Sequence, residues 1–294
     1  MKKMYNISVI GQSNTGKSSL INYLSKKYVT AESNKLQTTR INLHNKIKIN
    51  NLEINIIDTP GISLVKKDLL AESMKKSYVK TLQSIDLVIL MIDVNSKDLN
   101  YEESIMNLLL DDCNILIAIN KIDLMENNHD ALQKFTDIIN NKFHKETFQI
   151  SIKSEVGIDN FLETISKLLE KQPPISNESL IPKNNQKLIM QEIIRGVIVD
   201  YTHNELPYDT AVLIDKLDEK KSLISLYVSI YVSKDNQKKI IIGKGGSMIK
   251  NIGSTSRKIL EENFNKKFFI SLNTIVKDNW KNSYSILKKI GYLD

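Results

Sequence analysis

Gly11-Gln-Ser-Asn-Thr-Gly-Lys17-Ser18-Ser19 follows the short apolar run Ile7-Ser-Val-Ile10 and precedes the apolar-periodic Leu20-Ile-Asn-Tyr-Leu24. No other stretch restricts the fold as strongly: a buried strand must end in a tight, glycine-framed turn that opens directly into a helix. Gly11 and Gly16 can take backbone conformations that side chains resist, so the N–H groups of Gln12, Ser13, Asn14 and Thr15 can point inward around an anion. Such a loop binds phosphates. Lys17 then reaches the β- and γ-phosphates, and the Ser18 hydroxyl ligates Mg²⁺. The helix that starts near Lys17, with Ser19 in its first turn, turns its positive end to the same place. The alternative is a surface turn, which the preceding strand and the Lys-Ser offset disfavour.

Two later motifs say which nucleotide. The apolar alternation of Leu52, Ile54, Ile56 and Ile57 runs into Asp58-Thr59-Pro60-Gly61, 41 residues beyond Lys17. An acid ending a buried strand here holds Mg²⁺ through water, and the Gly61 amide can meet the γ-phosphate. Taken alone, these four residues also make a good turn. The run Ile115-Leu-Ile-Ala-Ile119 ends in Asn120-Lys121-Ile122-Asp123. The Asp123 carboxylate can accept from guanine N1–H and the 2-amino group, which adenine does not offer, so guanine is the expected base. Asn120 is expected to brace the phosphate loop against the base edge, and the stem of Lys121 to cover the ring.

Composition removes other classes. Cys113 is the single cysteine of 294 residues, which excludes an intrachain disulfide and suits a reducing compartment. The four histidines, His44, His129, His144 and His203, are too scattered for a metal cluster. The longest apolar run, Leu87 to Ile92, is far short of a membrane span. Met1-Lys-Lys-Met has the charge of a signal-peptide start, but it leads straight into the first strand, and an unprocessed soluble N-terminus is expected.

The charge is unevenly distributed. Residues 1–172 carry 22 basic and 21 acidic side chains, whereas residues 173–294 carry 19 and 13. Within Lys234 to Lys277 the balance is 10 to 3, a net of +7 that suits a polyanion; a merely solvated lysine-rich face is the alternative. A helical pattern from Phe161 to Leu169 stops before Gln172-Pro-Pro-Ile-Ser-Asn-Glu-Ser, which reads as a linker. The expected organisation is therefore a GTP-binding domain over 1–172, a linker over 173–184 and a second domain over 185–294.

Strands at 7–10, 53–57, 87–92, 115–119 and 147–150 alternate with helices, giving a doubly wound α/β first domain with its ligand at the carboxyl ends of the strands. The second domain reads as a smaller α+β unit: a helix near 185–201, strands near 209–215 and 223–232, a glycine loop, helices near 246–264, a strand near 268–276 and a last helix from about Asn279. Its loop, Ile240-Ile-Ile242-Gly243-Lys244-Gly245-Gly246, is a G-x-x-G turn ahead of a helix containing Met248, Ile249 and Ile252. Such a turn can clamp a sugar–phosphate backbone while an apolar groove takes unstacked bases, the arrangement called KH. Ile242, Gly243 to Gly246, Lys250 and Arg257 are the expected RNA contacts, and the groove points to single-stranded RNA.

In this order the two domains resemble the bacterial Era family of GTPases over essentially the whole length. The residues that carry the resemblance are the phosphate loop, Gln37-Thr-Thr-Arg40, Asp58-Thr-Pro-Gly61, Asn120-Lys-Ile-Asp123, Glu205-Leu-Pro-Tyr208, Ile241-Ile-Gly-Lys-Gly-Gly246 and Gly291-Tyr292. The resemblance implies a P-loop GTPase with a type II KH domain that uses GTP/GDP and Mg²⁺. It also implies binding of the 3′ end of small-subunit ribosomal RNA and assistance to late assembly of the small ribosomal subunit. A monomer is expected, cytoplasmic and with some peripheral association with the inner membrane.

Carried over by position, Thr39 senses the γ-phosphate and completes the Mg²⁺ shell, with Thr38 beside it as the alternative. Ile62 stands where other GTPases keep a water-orienting glutamine, and the family's substitute is a potassium ion held partly by Asn14. Ser151 and Lys153 complete the base-binding loop. Three departures from the family pattern are Ile152 for alanine, Asn273 for tryptophan and Ile275 for lysine; the last two set an expectation of altered RNA sequence preference. Two rival readings remain: a membrane-surface GTPase in growth control, and a nucleotide-stabilised RNA scaffold without turnover.

Overall fold

The computed structural model describes residues 4–25, 40, 42–59, 68–82, 84–109, 113–125, 128–175, 181, 185–203 and 206–293. Of the expected site residues, Thr39, Pro60, Gly61 and Ile62 lie outside this set, as do Gln37, Thr38 and Glu205. The chain divides into two compact units, and the division is not a single cut. Among described residues the first unit holds 4–25, 42–59 and most of 77–181, whereas Arg40 and 68–76 go with the C-terminal unit.

In the first unit a six-stranded sheet has the order β2-β3-β1-β4-β5-β6. Its strands are β1 (Met4–Gly11), β2 (Leu43–Ile49), β3 (Leu52–Asp58), β4 (Leu87–Asp93), β5 (Ile115–Asn120) and β6 (Thr147–Gln149). All pairings are parallel except the antiparallel β2–β3 hairpin. The helices are α1 (Lys17–Ser25), α3 (Asn100–Met106), α4 (His129–Phe143) and α5 (Ile158–Glu170), with the last residues of α2 (Leu69–Leu82), whose earlier part goes with the C-terminal unit. A parallel sheet covered on both faces demands near-continuous apolar strands, and β4 is buried from Leu87 through Ile92. β1 lies between β3 and β4, so the chain leaves it first to one side and then to the other. The crevice outside its carboxyl end is where such a sheet binds ligand. The phosphate-loop motif starts there.

The edge strand β2 is absent from the sequence reading, and its composition explains why. Its buried positions include His44 and Asn45. Asn55 on β3 donates to Asn6 on β1 at 2.8 Å and lies 3.2 Å from the His44 ring. A polar ladder thus replaces the apolar alternation that would have signalled a strand. Burial pushes the His44 imidazole down to about 4, so it stays neutral in that ladder.

The second unit runs α6 (Asn185–Tyr201), β7 (Thr210–Glu219), β8 (Leu223–Val232), α7 (Asp235–Ile242), α8 (Ser247–Phe264), β9 (Lys267–Val276) and α9 (Tyr284–Ile290). β7 is antiparallel to β8, and β9 is parallel to it. The order is helix, two strands, a helix, the glycine loop, a helix and a strand. α6 is buried at every residue from Leu188 through Val199, as a helix at the centre of a core must be. The structure adds α7, where the sequence showed only an apolar run. Ile240 is 51% exposed while Ile241 is fully buried, so three consecutive isoleucines spread around a helix rather than marking one face.

Candidate functional site

The phosphate loop leaves β1 through Gly11, at φ +147°, where a Cβ would come within 2.3 Å of the Met91 carbonyl on β4. It re-enters regular structure at Gly16, at φ +99°. There a Cβ would lie 2.2 Å from Asn120 Nδ2. Both glycines are needed because other parts of the site occupy the space. Between them Asn14 takes φ +67° at an exposed tip, and the Thr15 hydroxyl donates to the Gln12 carbonyl at 2.9 Å, closing the turn. Ser18 and Ser19 sit in the first turn of α1.

Lys17 Nζ donates to the Gln12 carbonyl at 2.6 Å, which folds the lysine back over the loop. Burial around its amino group lowers the Lys17 pKa to about 8, opposed by the negative charges of Asp58 and Glu102. Asp58 ends β3 with no exposed surface, beside Thr59, whose hydroxyl donates to the Val9 carbonyl at 3.2 Å. Glu102 on α3 accepts from Gln12 Nε2 at 3.3 Å. Sequence reasoning missed Glu102; only its place in the fold, 85 residues beyond Lys17, brings it near.

The expected base end lies at the tip of β5. Asn120 Nδ2 donates to the Thr15 carbonyl at 2.8 Å, and its Oδ1 accepts from the Ile152 amide at 3.3 Å. One buried amide therefore braces the phosphate loop and the 151–154 turn together. Asp123, in the short 3-10 turn Ile122–Met125, accepts from the Ser151 hydroxyl at 2.6 Å, and Ser151 Oγ accepts from the Ser154 amide at 3.2 Å. These two bonds fix the orientation of the carboxylate. Lys121, at φ +67°, donates to the Asn14 carbonyl at 2.6 Å and pairs with Asp93 at 2.7 Å. Asp93 is a second partner that the tetrapeptide motif did not reveal. Ile152 leaves this scheme intact, because its contribution is a backbone amide. Lys153 is exposed in the same turn.

The second glycine loop joins α7 to α8. Gly243 takes φ +73°, and a Cβ there would lie 2.6 Å from Met248 Cβ. Gly245 at φ +60° and Gly246 at φ +79° meet nothing within 4 Å. Their missing side chains leave open approach to the backbone. Lys244 is exposed at the tip, with Ile242 half-buried behind it. Lys250 and Arg257 are exposed on α8 seven residues apart, two turns along one face. The opposite face of α8 buries Ile252, Ser256 and Leu260. No helix among the described residues is long and apolar enough to cross a membrane.

Family comparisons agree with this division of labour. A family model described as 50S ribosome-binding GTPase matches residues 6–121, and one described as KH domain matches residues 205–281. GTPase Era of Lactobacillus helveticus is 34% identical over 293 residues, covering 97% of this chain and 95% of its own. GTPase Era of Geobacter metallireducens is 32% identical over 289 residues, covering 97% and 96%. Among solved structures, a variant of Aquifex aeolicus Era bound to GDP and AlF4⁻ superposes with a TM-score of 0.89 at 29% identity, covering 99% of this chain and 100% of its own. Era in complex with MgGDPNP and nucleotides 1506–1542 of 16S ribosomal RNA gives 0.87 at 28% identity, covering both chains fully. The chain belongs to the Era family of GTPases, binding and hydrolysing GTP through its N-terminal half and carrying a KH domain for RNA.

Proposed function

We propose that this chain is a GTP-driven switch that grips the single-stranded 3′ end of small-subunit ribosomal RNA and assists late assembly of the small subunit in the cytoplasm. The observation that carries the RNA reading is the open glycine loop, bare at Gly245 and Gly246 and flanked by exposed Lys244, Lys250 and Arg257. The Era complex with 16S ribosomal RNA supports the choice of RNA. The family model that names the 50S subunit covers only residues 6–121, outside the KH domain, and so does not identify the RNA. We place the nucleotide-hydrolysing domain at 1–172, the linker at 173–184 and the RNA domain at 185–294.

In this reading Gly11 to Ser19 cradle the phosphates, Asp123 and Ser151 read guanine, and Asn120, Lys121 and Lys153 frame the base. Ser18, Thr39 and Asp58 would hold Mg²⁺, which neutralises charge on the β- and γ-phosphates. A hydroxyl at the start of α1 and a fully buried carboxylate at the end of β3 are a donor set that suits this small, hard cation. The Gly61 amide would meet the γ-phosphate. With Ile62 unable to orient water, Asn14 at the exposed tip of the phosphate loop would contribute to a potassium site. Hydrolysis is then expected to be faster in K⁺ than in Na⁺, and Asn14→Ala to bring the two rates together. An unchanged K⁺/Na⁺ ratio in that variant removes Asn14 from the scheme.

The RNA assignment is tested by replacing Lys244 and Gly245 with Asp. Two carboxylates would face the phosphates and one cation would be lost, while Asp tolerates the left-handed backbone at position 245 better than most residues. Affinity for a single-stranded RNA is expected to fall by about 2 kcal/mol or more. Each lost phosphate contact should flatten the slope of log K against log[salt] by roughly 0.7. GTP hydrolysis without RNA should stay as it was. Unchanged affinity and slope in a folded double variant place the RNA elsewhere, and GTP binding without turnover would favour the scaffold reading.

A further inference from the structure

The three-stranded sheet of the second unit buries one face and leaves part of the other open. Along β8, Ile224, Leu226, Val228 and Ile230 are buried, whereas the alternate Ser225 and Tyr227 are not. Register sets Ser225 opposite Asp218 on β7 and Phe269 on β9, and Tyr227 opposite Lys216 and Ser271. Tyr227 is 42% exposed and Phe269 51%, and their ring centroids lie 6.2 Å apart in an edge-on arrangement. Single exposed apolar residues are ordinary. Here two rings pair across adjacent strands, and the serines beside them, Ser225 and Ser271, are too short to cover them.

Basic side chains surround the pair. Lys216 Nζ lies 5.7 Å from the Tyr227 ring centroid. Lys267, two residues before Phe269 and on the same face, has a side chain 80% exposed and meets Glu261 only at 3.8 Å. The β7–β8 turn carries Lys220 and Lys221, both exposed. In that turn the Ser222 carbonyl accepts from the Lys267 amide at 3.1 Å, which sets the two lysines beside the start of β9. Lys216 pairs with Asp218 at 2.7 Å, and Lys266 with Glu219 at 2.5 Å. Five lysines against three acids leave this end of the sheet with a net of +2. Asp215, at the bulge in β7, accepts from Ser229 Oγ at 2.6 Å and bounds the basic surface.

We propose that this open face is a second RNA-binding surface, on which an unpaired base stacks against Tyr227 and Phe269 while Lys216, Lys220, Lys221 and Lys267 meet the neighbouring phosphates. The inference rests on the reading above, in which the glycine loop grips single-stranded RNA. That loop clamps about four nucleotides, so a longer strand needs further contacts. α7 and α8, which carry the loop, pack against β8 and β9 on the buried face, and the rings are therefore a separate site. Single-stranded RNA supplies what the surface suits, a flat base and a phosphate in every nucleotide, and stacking on a ring needs no particular base. A second copy of the chain would set the same positive surface against itself.

The test uses the full chain and single-stranded RNAs matching the 3′ end of small-subunit ribosomal RNA, lengthened stepwise beyond the shortest that binds. Tyr227→Thr combined with Phe269→Thr keeps residues that suit an exposed strand. It should weaken the longest RNA by at least about fivefold, the loss of one stacked base, and leave the shortest unchanged. Its slope of log K against log[salt] should stay as it was, because no charge is removed. Tyr227→Phe combined with Phe269→Tyr keeps both rings and should bind like the unsubstituted chain. Replacing Lys244 and Gly245 with Asp should weaken every length, which reads the two sites apart. Phe269→Thr alone decides the matter if the double variant fails to fold. Undiminished binding of the longest RNA by the folded threonine variant overturns the proposal, as does a dimer in solution that those substitutions dissociate. Absence of binding at every length by the unsubstituted chain overturns the underlying reading instead.

Discussion

Asp123→Ala is expected to erase most of the preference for guanine over adenine nucleotides while leaving the fold in place. In the structure the carboxylate accepts the Ser151 hydroxyl at 2.6 Å. It sits in a short, partly exposed 3-10 turn, so its removal opens no cavity in the core. Guanine offers it N1–H and a 2-amino group. Two hydrogen bonds to a charged acceptor contribute about 1.5–3 kcal/mol each, which makes about 3–6 kcal/mol together. At 1.4 kcal/mol per factor of ten, GDP affinity falls on the order of 10²- to 10⁴-fold. Adenine nucleotides have nothing to lose at this position. Direct titration of GDP and ADP on both proteins reads the ratio, and a ratio unmoved by the substitution would show that the base is read elsewhere.

Lys17→Ala should reduce turnover by at least about 10²- to 10³-fold, the scale of removing one preorganised charge from a phosphoryl-transfer site. The pH profile gives an independent view of the same group. In the free protein, burial holds Lys17 at about 8. Bound phosphates favour the ammonium form, so the group should titrate higher in the complex. Below about pH 8 the free protein carries the charge already, and kcat/KM should be flat. Above it the lysine must take up a proton to bind, and kcat/KM should fall toward tenfold per pH unit. Because kcat reports the complex, its limb should lie at higher pH. A kcat/KM that stays level beyond pH 9 would contradict the assignment.

What could be read from the chain before folding differs between the two units for a physical reason. Parallel strands buried on both faces leave long apolar runs, and Leu87 to Ile92 or Ile115 to Ile119 could hardly be anything else. The glycine spacing of the phosphate loop follows from local backbone demands, so Gly11, Gly16 and Lys17 were legible. The edge strand β2 was not, because the buried polar residues His44 and Asn45 interrupt its apolar pattern, His44 lying beside the Asn55–Asn6 hydrogen bond. α7 was hidden for the opposite reason, since Ile240 faces outward and breaks the helical pattern. Partners such as Asp93 for Lys121 and Glu102 for Gln12 depend on strand and helix placement that no local pattern carries. Arg40 is the extreme case, since its buried guanidinium donates to the carbonyls of Pro207, Tyr208 and Thr210, about 170 residues further along the chain.

That distance orders events during synthesis. Arg40 is made long before Pro207, Tyr208 and Thr210, and 252 residues before Tyr292. At roughly 5–20 residues per second, a ribosome needs about 10–50 s to pass from Arg40 to Tyr292. During that interval β1, β3, β4 and β5, all encoded before residue 121, can pair and bury their apolar faces. The Arg40 guanidinium has no carbonyls to enter and stays hydrated. The nascent chain therefore acquires its nucleotide fold first, and Arg40 gains its carbonyl and Tyr292 partners only after those residues emerge.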